Sequence, residues 1–369
     1  MNPHLKPALG NNLLLRTDSY KASHWLQYPP GAEHAFSYIE SRGGRYSHSL
    51  FFGLQAYLRE YLSTPITLAD VAEAKAIYAA HGEPFNEAGW TRLVEKHGGL
   101  LPLRIRAVPE GMVLPVRNVL LTVENTDPEF FWLTSFIETE LLRAVWYPTT
   151  VATQSATAKS IIARYLHATS DCAEQELPFK LHDFGARGVS SLESAALGGM
   201  AHLVNFMGTD TVSALLAARR YYDCEMAGFS IPAAEHSTIT SWGREHEADA
   251  YRNMLRQFAR PGSVVAVVSD SYDIFHACDA IWGQQLHDAV IASGATVVIR
   301  PDSGDPAITV PQVVQILAQR FGYTTNSKGF KVLQYVRIIQ GDSINLTSLR
   351  QILHNLHEAG FSAENVEIG

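Results

Sequence analysis

In the stretch Ile231-Pro232-Ala233-Ala234-Glu235-His236-Ser237-Thr238-Ile239-Thr240, one histidine stands where a short apolar segment gives way to a predicted helix. Ser237 and Thr238 are common N-cap types, and the helix predicted over 241–258 carries acidic residues early and Arg256 late, as the helix dipole favours. The positive end of that dipole favours a neutral imidazole, so His236 is available as a nucleophile or a proton acceptor. A lone histidine more often only caps or packs, so its role depends on the junctions around it.

From residue 180 onward, short apolar segments alternate with helical ones. Strands are predicted at 180–184, 202–206, 228–232, 264–269, 296–300, 336–340 and 365–368. Helices are predicted between them at 190–200, 211–222, 241–258, 274–282, 310–321 and 346–359. Such alternation indicates parallel strands with helical crossovers, which build either a doubly wound sheet or a β/α barrel.

Polar and glycine-rich residues recur at the carboxyl end of each predicted strand. They are Asp183-Phe184-Gly185, Gly208-Thr209-Asp210, His236, Ser269-Asp270, Arg300-Pro301-Asp302-Ser303-Gly304 and Gly341-Asp342. In a β/α barrel the strand ends at one rim build the active site, whereas chance would scatter such residues along the elements. The sequence therefore predicts an α/β fold in which residues 151–369 form an irregular β/α barrel.

The predicted barrel is incomplete at its C-terminus. A β/α barrel usually has eight strands in about 250 residues, and its phosphate-binding loops commonly follow the last two strands. The seventh predicted strand ends near Gly369, so the closing elements are expected to be missing. Residues 1–150 mix helical periodicity with turn signals and short strands near 103–108 and 113–123, which predicts an α+β N-terminal domain preceding the barrel. A helix opened by Asp127-Pro128 is predicted to end before Pro148, and a further helix over about 152–167 leads into the barrel.

Composition excludes several classes of protein. The 369 residues carry a formal net charge of −8, whereas a nucleic-acid-binding protein shows a basic excess. No apolar run approaches a membrane span, and the three-leucine run within the first 15 residues is too short for a secretion signal. Three well-separated cysteines, with no CxxC, fit a reducing compartment. We therefore expect a cytoplasmic protein that binds neither nucleic acid nor membrane.

The residues at the predicted rim favour a phosphorylated sugar as substrate. Arginines beside glycine-rich turns, here Arg187 and Arg300, suit phosphate oxygens, and nearby carboxylates can accept sugar hydroxyls or hold Mg²⁺. The alternative without a functional role is that Arg300 and Asp302 form an ordinary ion pair within a loop. A metallohydrolase barrel is a rival interpretation, but it needs paired histidine ligands and the sequence has no His-x-His, so no metal ligands are assigned.

Seven motifs, in order along the chain, resemble the nicotinate/nicotinamide phosphoribosyltransferase family, and within it the nicotinamide phosphoribosyltransferases. They are Thr17-Asp18-Ser19-Tyr20-Lys21, Lys180-Leu181-His182-Asp183-Phe184-Gly185 with Arg187-Gly188, Gly208-Thr209-Asp210, Pro232-Ala233-Ala234-Glu235-His236-Ser237, Ser269-Asp270-Ser271-Tyr272-Asp273, Arg300-Pro301-Asp302-Ser303-Gly304 and Gln340-Gly341-Asp342. The resemblance implies condensation of nicotinamide with phosphoribosyl pyrophosphate to nicotinamide mononucleotide and pyrophosphate, a step of NAD salvage. A departure is Ala186, where the family often has an aromatic residue.

The resemblance also implies roles for residues of the nicotinamide pocket. Phe184 would stack on the pyridine ring, with Tyr20 of a second subunit on the opposite face. Asp210 would accept the carboxamide N–H and repel the carboxylate of nicotinate. Ser230 would lie in the same pocket. Family members are homodimers, so a homodimer is expected.

At the phosphate end, the resemblance implies that Arg187 and Arg300 hold phosphate or pyrophosphate, and that Asp302, Gly341 and Asp342 bind the ribose and the product. The catalytic residues would be His236, Asp270, Asp302 and Arg300. The resemblance implies that ATP, which is optional and stimulatory, phosphorylates His236, and that Asp270 binds the other ring nitrogen of His236. Mg²⁺ would bridge pyrophosphate oxygens.

Two alternatives remain open at this point. The family continues past the position of Gly369 into a glycine-rich phosphate loop, so the chain would need a complementary C-terminal chain, or would be a non-catalytic or split-enzyme fragment that binds nicotinamide or a partner chain. The other alternative is a nicotinate phosphoribosyltransferase, which the carboxylate of Asp210 opposes.

Overall fold

A computed structural model describes residues 12–369, which fold into two compact units. The first unit contains the described residues up to Thr153 together with Ala217–Glu225. The second contains Gln154–Leu216 and Met226–Gly369. The predicted division into an N-terminal domain over residues 1–150 and a barrel domain over residues 151–369 stays a prediction. Residues 1–11, most of the segment examined for a secretion signal, lie outside the described residues.

The first unit combines two antiparallel sheets with helices. The larger sheet pairs Phe36–Glu40, Val119–Asn125 and Leu103–Ala107, and the smaller pairs His48–Leu50 with Val113–Pro115. Its helical segments are Leu13–Leu15, Ser19–Leu26, Leu54–Tyr57, Leu58–Leu62, Leu68–His81, Glu87–His97, Pro128–Phe130 and Leu133–Phe136. Its core is rich in aromatic residues, among them Phe51, Trp90, Phe130 and Trp132. Strands predicted near 103–108 and 113–123 are confirmed, the latter as two strands.

A helix predicted to end before Pro148 instead continues through it. One helix runs over Glu138–Thr169 with Pro148 inside, so the prediction of two helices was wrong. Proline cannot donate to the carbonyl four residues earlier, here that of Ala144. Gly53 packs against this point: a Cβ on it would lie 2.7 Å from Ala144 O and from Pro148. The Thr149 hydroxyl also hydrogen-bonds Phe52. Local packing therefore outweighs the intrinsic cost of the proline.

Parallel strands dominate the second unit. A four-stranded parallel sheet has the order Val366–Ile368, Val336–Gln340, Thr296–Arg300 and Val264–Val268. A second parallel pair joins His182–Asp183 to Gly208–Thr209, and a short antiparallel pair joins Tyr323–Thr325 to Lys331–Leu333. The strands predicted at 296–300 and 336–340 are confirmed with the same bounds.

The hydrogen-bonded pairing of these parallel segments closes on itself, because the first segment also pairs with the last. Single parallel bridges join Leu181 to Ile368, Gly208 to Phe229, and Ala233 to Ala266. Seven segments, including 229–233 between two bridges, therefore form a closed circuit without an eighth strand. The predicted α/β class is confirmed. The barrel stays a prediction, which this circuit favours.

Helices connect the strands of the second unit. They are Ala173–Glu176, Leu177–Phe179, Gly185–Gly188, Leu192–Leu203, Val212–Tyr222, His236–Thr240, Arg244–His246, Glu247–Phe258, Ile274–His276, Ala277–Gln285, His287–Ser293, Pro306–Phe321, Leu346–Glu358 and Ala363–Asn365. The strand predicted at 202–206 was wrong, because His202 is buried in a helix and hydrogen-bonds Ser155 and Gly208; the strand follows at 208–209.

The helix predicted over 241–258 begins earlier and is divided. A first helical turn starts at His236, capped by Glu235 rather than by Ser237 or Thr238, and the longer helix starts at Glu247. Gly243, with φ 80°, separates the two, because this left-handed conformation ends a helix. No helix within residues 12–369 is long and apolar enough to cross a membrane.

Candidate active site

One cavity of about 620 Å³ lies at the carboxyl ends of the parallel strands of the second unit. It is lined by Phe184, Ala186, Arg187, Asp210, Thr211, Glu235, His236, Ser237, Arg300, Asp302, Gly341 and Asp342. Eight of the ten residues predicted to bind substrate are in this lining. Residues far apart in sequence meet here because each follows the end of its own strand, as the parallel topology predicts.

His236 and Asp270 form a hydrogen-bonded pair at this cavity. The Nε2 atom of His236 lies 2.9 Å from Oδ1 of Asp270. The Asp270 side chain is only 4% exposed, whereas that of His236 is 47% exposed. Because an ionised carboxylate only accepts hydrogen bonds, Nε2 carries the proton, and the lone pair is on Nδ1. The pair thus presents an oriented imidazole nitrogen to a ligand.

Asp210 is held by Ser230. The Ser230 hydroxyl donates to Oδ1 of Asp210 at 2.5 Å, and the Asp210 amide donates to Asp183 O. Asp210 directly follows the strand Gly208–Thr209, and Phe229, next to Ser230, bridges to Gly208. Neighbouring segments therefore deliver an oriented carboxylate, which can accept an N–H from a neutral ligand.

Phe184 provides an aromatic surface in the cavity. Its ring packs on Ala266, Val298 and Ile339 of the parallel sheet. A Cβ on Gly341 would lie 3.4 Å from the ring, so Gly341 lets the backbone pass close to it. A ring fixed from below by strand residues can stack on a flat ligand from above.

Two guanidinium groups line the same cavity. Arg300 lies at the end of the strand Thr296–Arg300, and its Nη2 is 3.6 Å from Oδ2 of Asp302. Its Nε is buried and has no hydrogen-bond partner among residues 12–369. Arg187 is exposed. The unused donors and positive charges suit phosphate oxygens.

The environment of Asp302 shifts the pKa of its carboxyl group. Partial burial raises its pKa above the usual 3.8, and the nearby carboxylates of Asp270 and Asp342 raise it further. Arg300 and His236 act in the opposite direction without cancelling the effect. The arrangement therefore holds a carboxylate in a place where negative charge is costly, as functional sites often do.

The structure also adds residues to which sequence reasoning assigned no role. Thr211, Glu235 and Ser237 line the cavity. Glu235 and Ser237 flank His236 in the stretch 231–240, and Thr211 follows Asp210. Their position next to a predicted site residue is therefore the sequence signal that could have identified them. Tyr20 lies in the first unit, where its ring is 54% exposed and makes an edge contact with His24. Its contribution to a second subunit stays a prediction.

Comparison with known proteins identifies the family. Residues 179–369 match the nicotinate phosphoribosyltransferase (NAPRTase) family, and residues 12–105 match the nicotinamide phosphoribosyltransferase N-terminal domain. The chain belongs to the nicotinate phosphoribosyltransferase family. The predicted resemblance to this family is therefore confirmed.

Curated relatives of this family are similar along most of the chain. A nicotinamide phosphoribosyltransferase of Xanthomonas campestris pv. campestris is 64% identical over 359 residues, covering 97% of this chain and 76% of the relative. A nicotinamide phosphoribosyltransferase of Acinetobacter baylyi is 33% identical over 396 residues, covering 97% of this chain and 78% of the relative.

Two solved structures share the fold. Human nicotinic acid phosphoribosyltransferase superposes with a TM-score of 0.63 at 19% identity, covering 96% of this chain and 72% of that one. The nicotinate-nucleotide pyrophosphorylase of Pyrococcus furiosus gives a TM-score of 0.58 at 14% identity, covering 100% of this chain and 74% of that one. At these identities the likeness concerns the fold alone.

Proposed function

We propose that the cavity joins nicotinamide to 5-phosphoribosyl 1-pyrophosphate, giving nicotinamide mononucleotide and pyrophosphate in NAD salvage. One observation carries the proposal: a stacking ring, an oriented carboxylate and two guanidinium groups surround a single space together with the His236–Asp270 pair. The curated relatives named above support the choice of reaction.

The nicotinamide end is formed by Phe184, Asp210 and Ser230. The pyridine ring stacks on Phe184, and the carboxamide N–H donates to Asp210. Nicotinate carries a carboxylate in place of the amide, so Asp210 repels it electrostatically. Because Ser230 already donates to Oδ1 of Asp210, the remaining lone pairs of the carboxylate are directed at the ligand. This argument makes a nicotinate phosphoribosyltransferase the weaker candidate.

The transfer step exchanges one bond at ribose C1′ for another. The pyridine nitrogen forms a bond to C1′ while the bond from C1′ to the pyrophosphate oxygen breaks, and pyrophosphate leaves with the electron pair. Arg187 and Arg300 bind the departing charge. Positive charge develops on the ribose, and Asp302 and Asp342 stabilise it while holding the ribose hydroxyls.

His236 adds an optional coupling to ATP. Its Nδ1 lone pair attacks the γ-phosphorus, the nitrogen–phosphorus bond forms, and the bond to the bridging oxygen breaks, releasing ADP. Asp270 keeps the proton on Nε2 and stabilises the imidazolium that results. A phosphorylated histidine beside the arginines then favours release of product and pyrophosphate.

The side chains of the cavity fit Mg²⁺ held mainly by the substrate. No group of three histidine, cysteine or carboxylate side chains within residues 12–369 could hold a metal by itself. Asp270, Asp302 and Asp342 are nevertheless close enough to interact electrostatically. These three carboxylates would hold a hydrated Mg²⁺ ion brought by the substrate, and the ion would supply positive charge that offsets the negative charge of the leaving group.

The assembly is proposed to be a homodimer in the cytoplasm. The exposed ring of Tyr20 is available to a second copy, whose nicotinamide it would cover from the side opposite Phe184. All three cysteines are unpaired, which suits a reducing compartment. Size-exclusion chromatography with light scattering tests the dimer. The binding of a complementary C-terminal chain stays a prediction.

Product analysis tests the proposed reaction. The 369-residue chain is incubated with nicotinamide, phosphoribosyl pyrophosphate and Mg²⁺, and nicotinamide mononucleotide is identified by mass spectrometry together with pyrophosphate release. We expect both products in equal amounts and neither when phosphoribosyl pyrophosphate is omitted. The assay is repeated with a C-terminal fragment of the family added, and absence of product in both cases would favour the alternative of a non-catalytic protein that only binds nicotinamide or a partner chain.

A further inference from the structure

The turn after the strand Val336–Gln340 is fixed at its backbone. The side chain of Gln340, fully buried, donates from Nε2 to the carbonyl of Asp342 at 3.0 Å. A backbone carbonyl can only accept a hydrogen bond, so the Gln340 atom that contacts it is the amide nitrogen. The side-chain oxygen of Gln340 is then the other amide atom, and it is buried. The Ser348 hydroxyl, in the first turn of the next helix, lies 3.1 Å from the carbonyl of Ser343. The main chain of the turn is therefore held from both sides.

The side chain of Asp342 is held separately, by the residue that follows it. The Ser343 hydroxyl donates to Oδ2 of Asp342 at 2.7 Å. Asp342 lines the cavity and is exposed, and within residues 12–369 the Ser343 hydroxyl is the hydrogen-bond partner that restricts the rotation of its carboxylate. Oδ1 remains available to a ligand in the cavity.

Ser343 makes this contact in an unfavourable conformation. Its φ is 60°, in the left-handed region that favours glycine. It is one of four non-glycine residues within 12–369 with positive φ, and the one next to a cavity residue. A glycine would avoid the strain but could not supply the hydroxyl. Strain at a ligand site points to a function that offsets it.

We propose that Ser343 is a positioning residue that orients the Asp342 carboxylate to accept a hydroxyl of the ribose of phosphoribosyl pyrophosphate. The inference rests on the proposed function, and it adds a residue that contacts Asp342 and not the substrate. It predicts that binding of the phosphorylated sugar depends on the Ser343 hydroxyl, while binding of nicotinamide does not.

Binding is measured by calorimetry on the 369-residue chain, with phosphoribosyl pyrophosphate and nicotinamide titrated separately. Ser343→Ala and Ser343→Gly both lose the hydroxyl, and we expect each to raise the Kd for phosphoribosyl pyrophosphate about tenfold, as loss of a hydrogen bond to a charged group does. The Kd for nicotinamide stays unchanged. Ser343→Gly also raises the melting temperature, since it relieves the left-handed strain.

Two further variants separate the hydroxyl from the strain. Ser343→Thr keeps the hydroxyl and adds steric strain, so it should lower the melting temperature and retain the wild-type Kd. Arg117→Gly relieves a left-handed residue, φ 65°, in the first unit and should leave both Kd values unchanged. An unchanged Kd in Ser343→Ala, or a Kd for Ser343→Thr as weak as that of Ser343→Ala, overturns the positioning role alone. Failure of the wild-type protein to bind phosphoribosyl pyrophosphate overturns the proposed function as well.

Discussion

Nε2 of His236 lies 2.9 Å from the nearly buried Oδ1 of Asp270, which leaves the lone pair of the imidazole on Nδ1. We therefore expect His236→Ala to abolish stimulation by ATP while ATP-independent transfer remains. Asp270→Asn should weaken the stimulation by about 10- to 100-fold, since the amide oxygen can still accept from Nε2 but the negative charge that stabilises the imidazolium is lost. Rates of nicotinamide mononucleotide formation with and without ATP measure this effect. Unaltered stimulation in His236→Ala would refute the phosphohistidine.

The Ser230–Asp210 contact predicts which residue sets selectivity. Asp210→Ser removes the negative charge, so nicotinate should gain on nicotinamide by about 10- to 100-fold in relative kcat/KM. Ser230→Ala is the matched control: it removes the donated hydrogen bond but keeps the charge, and should weaken nicotinamide binding without reversing the preference. Competition between the two substrates measures the ratio. A ratio that does not move in Asp210→Ser would remove the basis of the amide argument.

The unpaired Nε of Arg300 predicts a need for the guanidinium group and not only for charge. Arg300→Lys keeps the charge and loses the planar fork, so pyrophosphate should bind about tenfold more weakly. Arg320→Lys is a control, because Arg320 also pairs with a carboxylate, that of Asp279, and is not among the cavity residues. Calorimetric titration with pyrophosphate compares them. Equal effects of the two substitutions would speak against a specific role for Arg300.

The raised pKa of Asp302 predicts that its charge destabilises the folded protein. Because the folded-state pKa lies above the usual 3.8, the penalty is present at neutral pH and disappears as the pH falls through the raised value towards 3.8. Asp302→Asn should therefore raise the melting temperature at pH 7, with a smaller gain near pH 4, and lower the transfer rate. Thermal unfolding at several pH values measures this.

Asp249 is a control for Asp302, because its pKa is shifted in the opposite direction. A hydrogen bond to His246 is the main cause that lowers the pKa of Asp249, so its charge favours the folded state. Asp249→Asn should lower the melting temperature at pH 7. A gain in stability from Asp249→Asn, or a loss from Asp302→Asn, would contradict the assigned electrostatics.

The helix through Pro148 predicts a stringent requirement for Gly53. Gly53→Ala combines a positive φ of 108° with a Cβ only 2.7 Å from Ala144 O, and should cost more than about 2 kcal/mol of stability. Gly82→Ala is the control, since Gly82 has a φ of 94° with open space around it, and should cost only about 1 kcal/mol. Chemical denaturation measures both. Similar losses would show that packing against Pro148 contributes little.

Sequence patterns predicted the second unit better than its irregular junctions. Strands such as Thr296–Arg300 carry continuous apolar runs, which determine the pairing, and polar residues at their ends reach one cavity as predicted. The strand at 202–206 was misplaced because an apolar helix end resembles a buried strand. Long-range packing decides the continuation through Pro148, which no local signal indicates. The left-handed Ser343 was missed for the same reason, since a serine gives no sign of positive φ.

The ratio of kcat/KM for nicotinamide to that for nicotinate tests the central claim most directly, because it depends on the carboxylate that the strand ends bring into the cavity. With saturating phosphoribosyl pyrophosphate and Mg²⁺, the protein should prefer nicotinamide by at least about 100-fold, since a carboxylate facing Asp210 is repelled. Equal use of the two substrates, or a preference for nicotinate, would contradict the account.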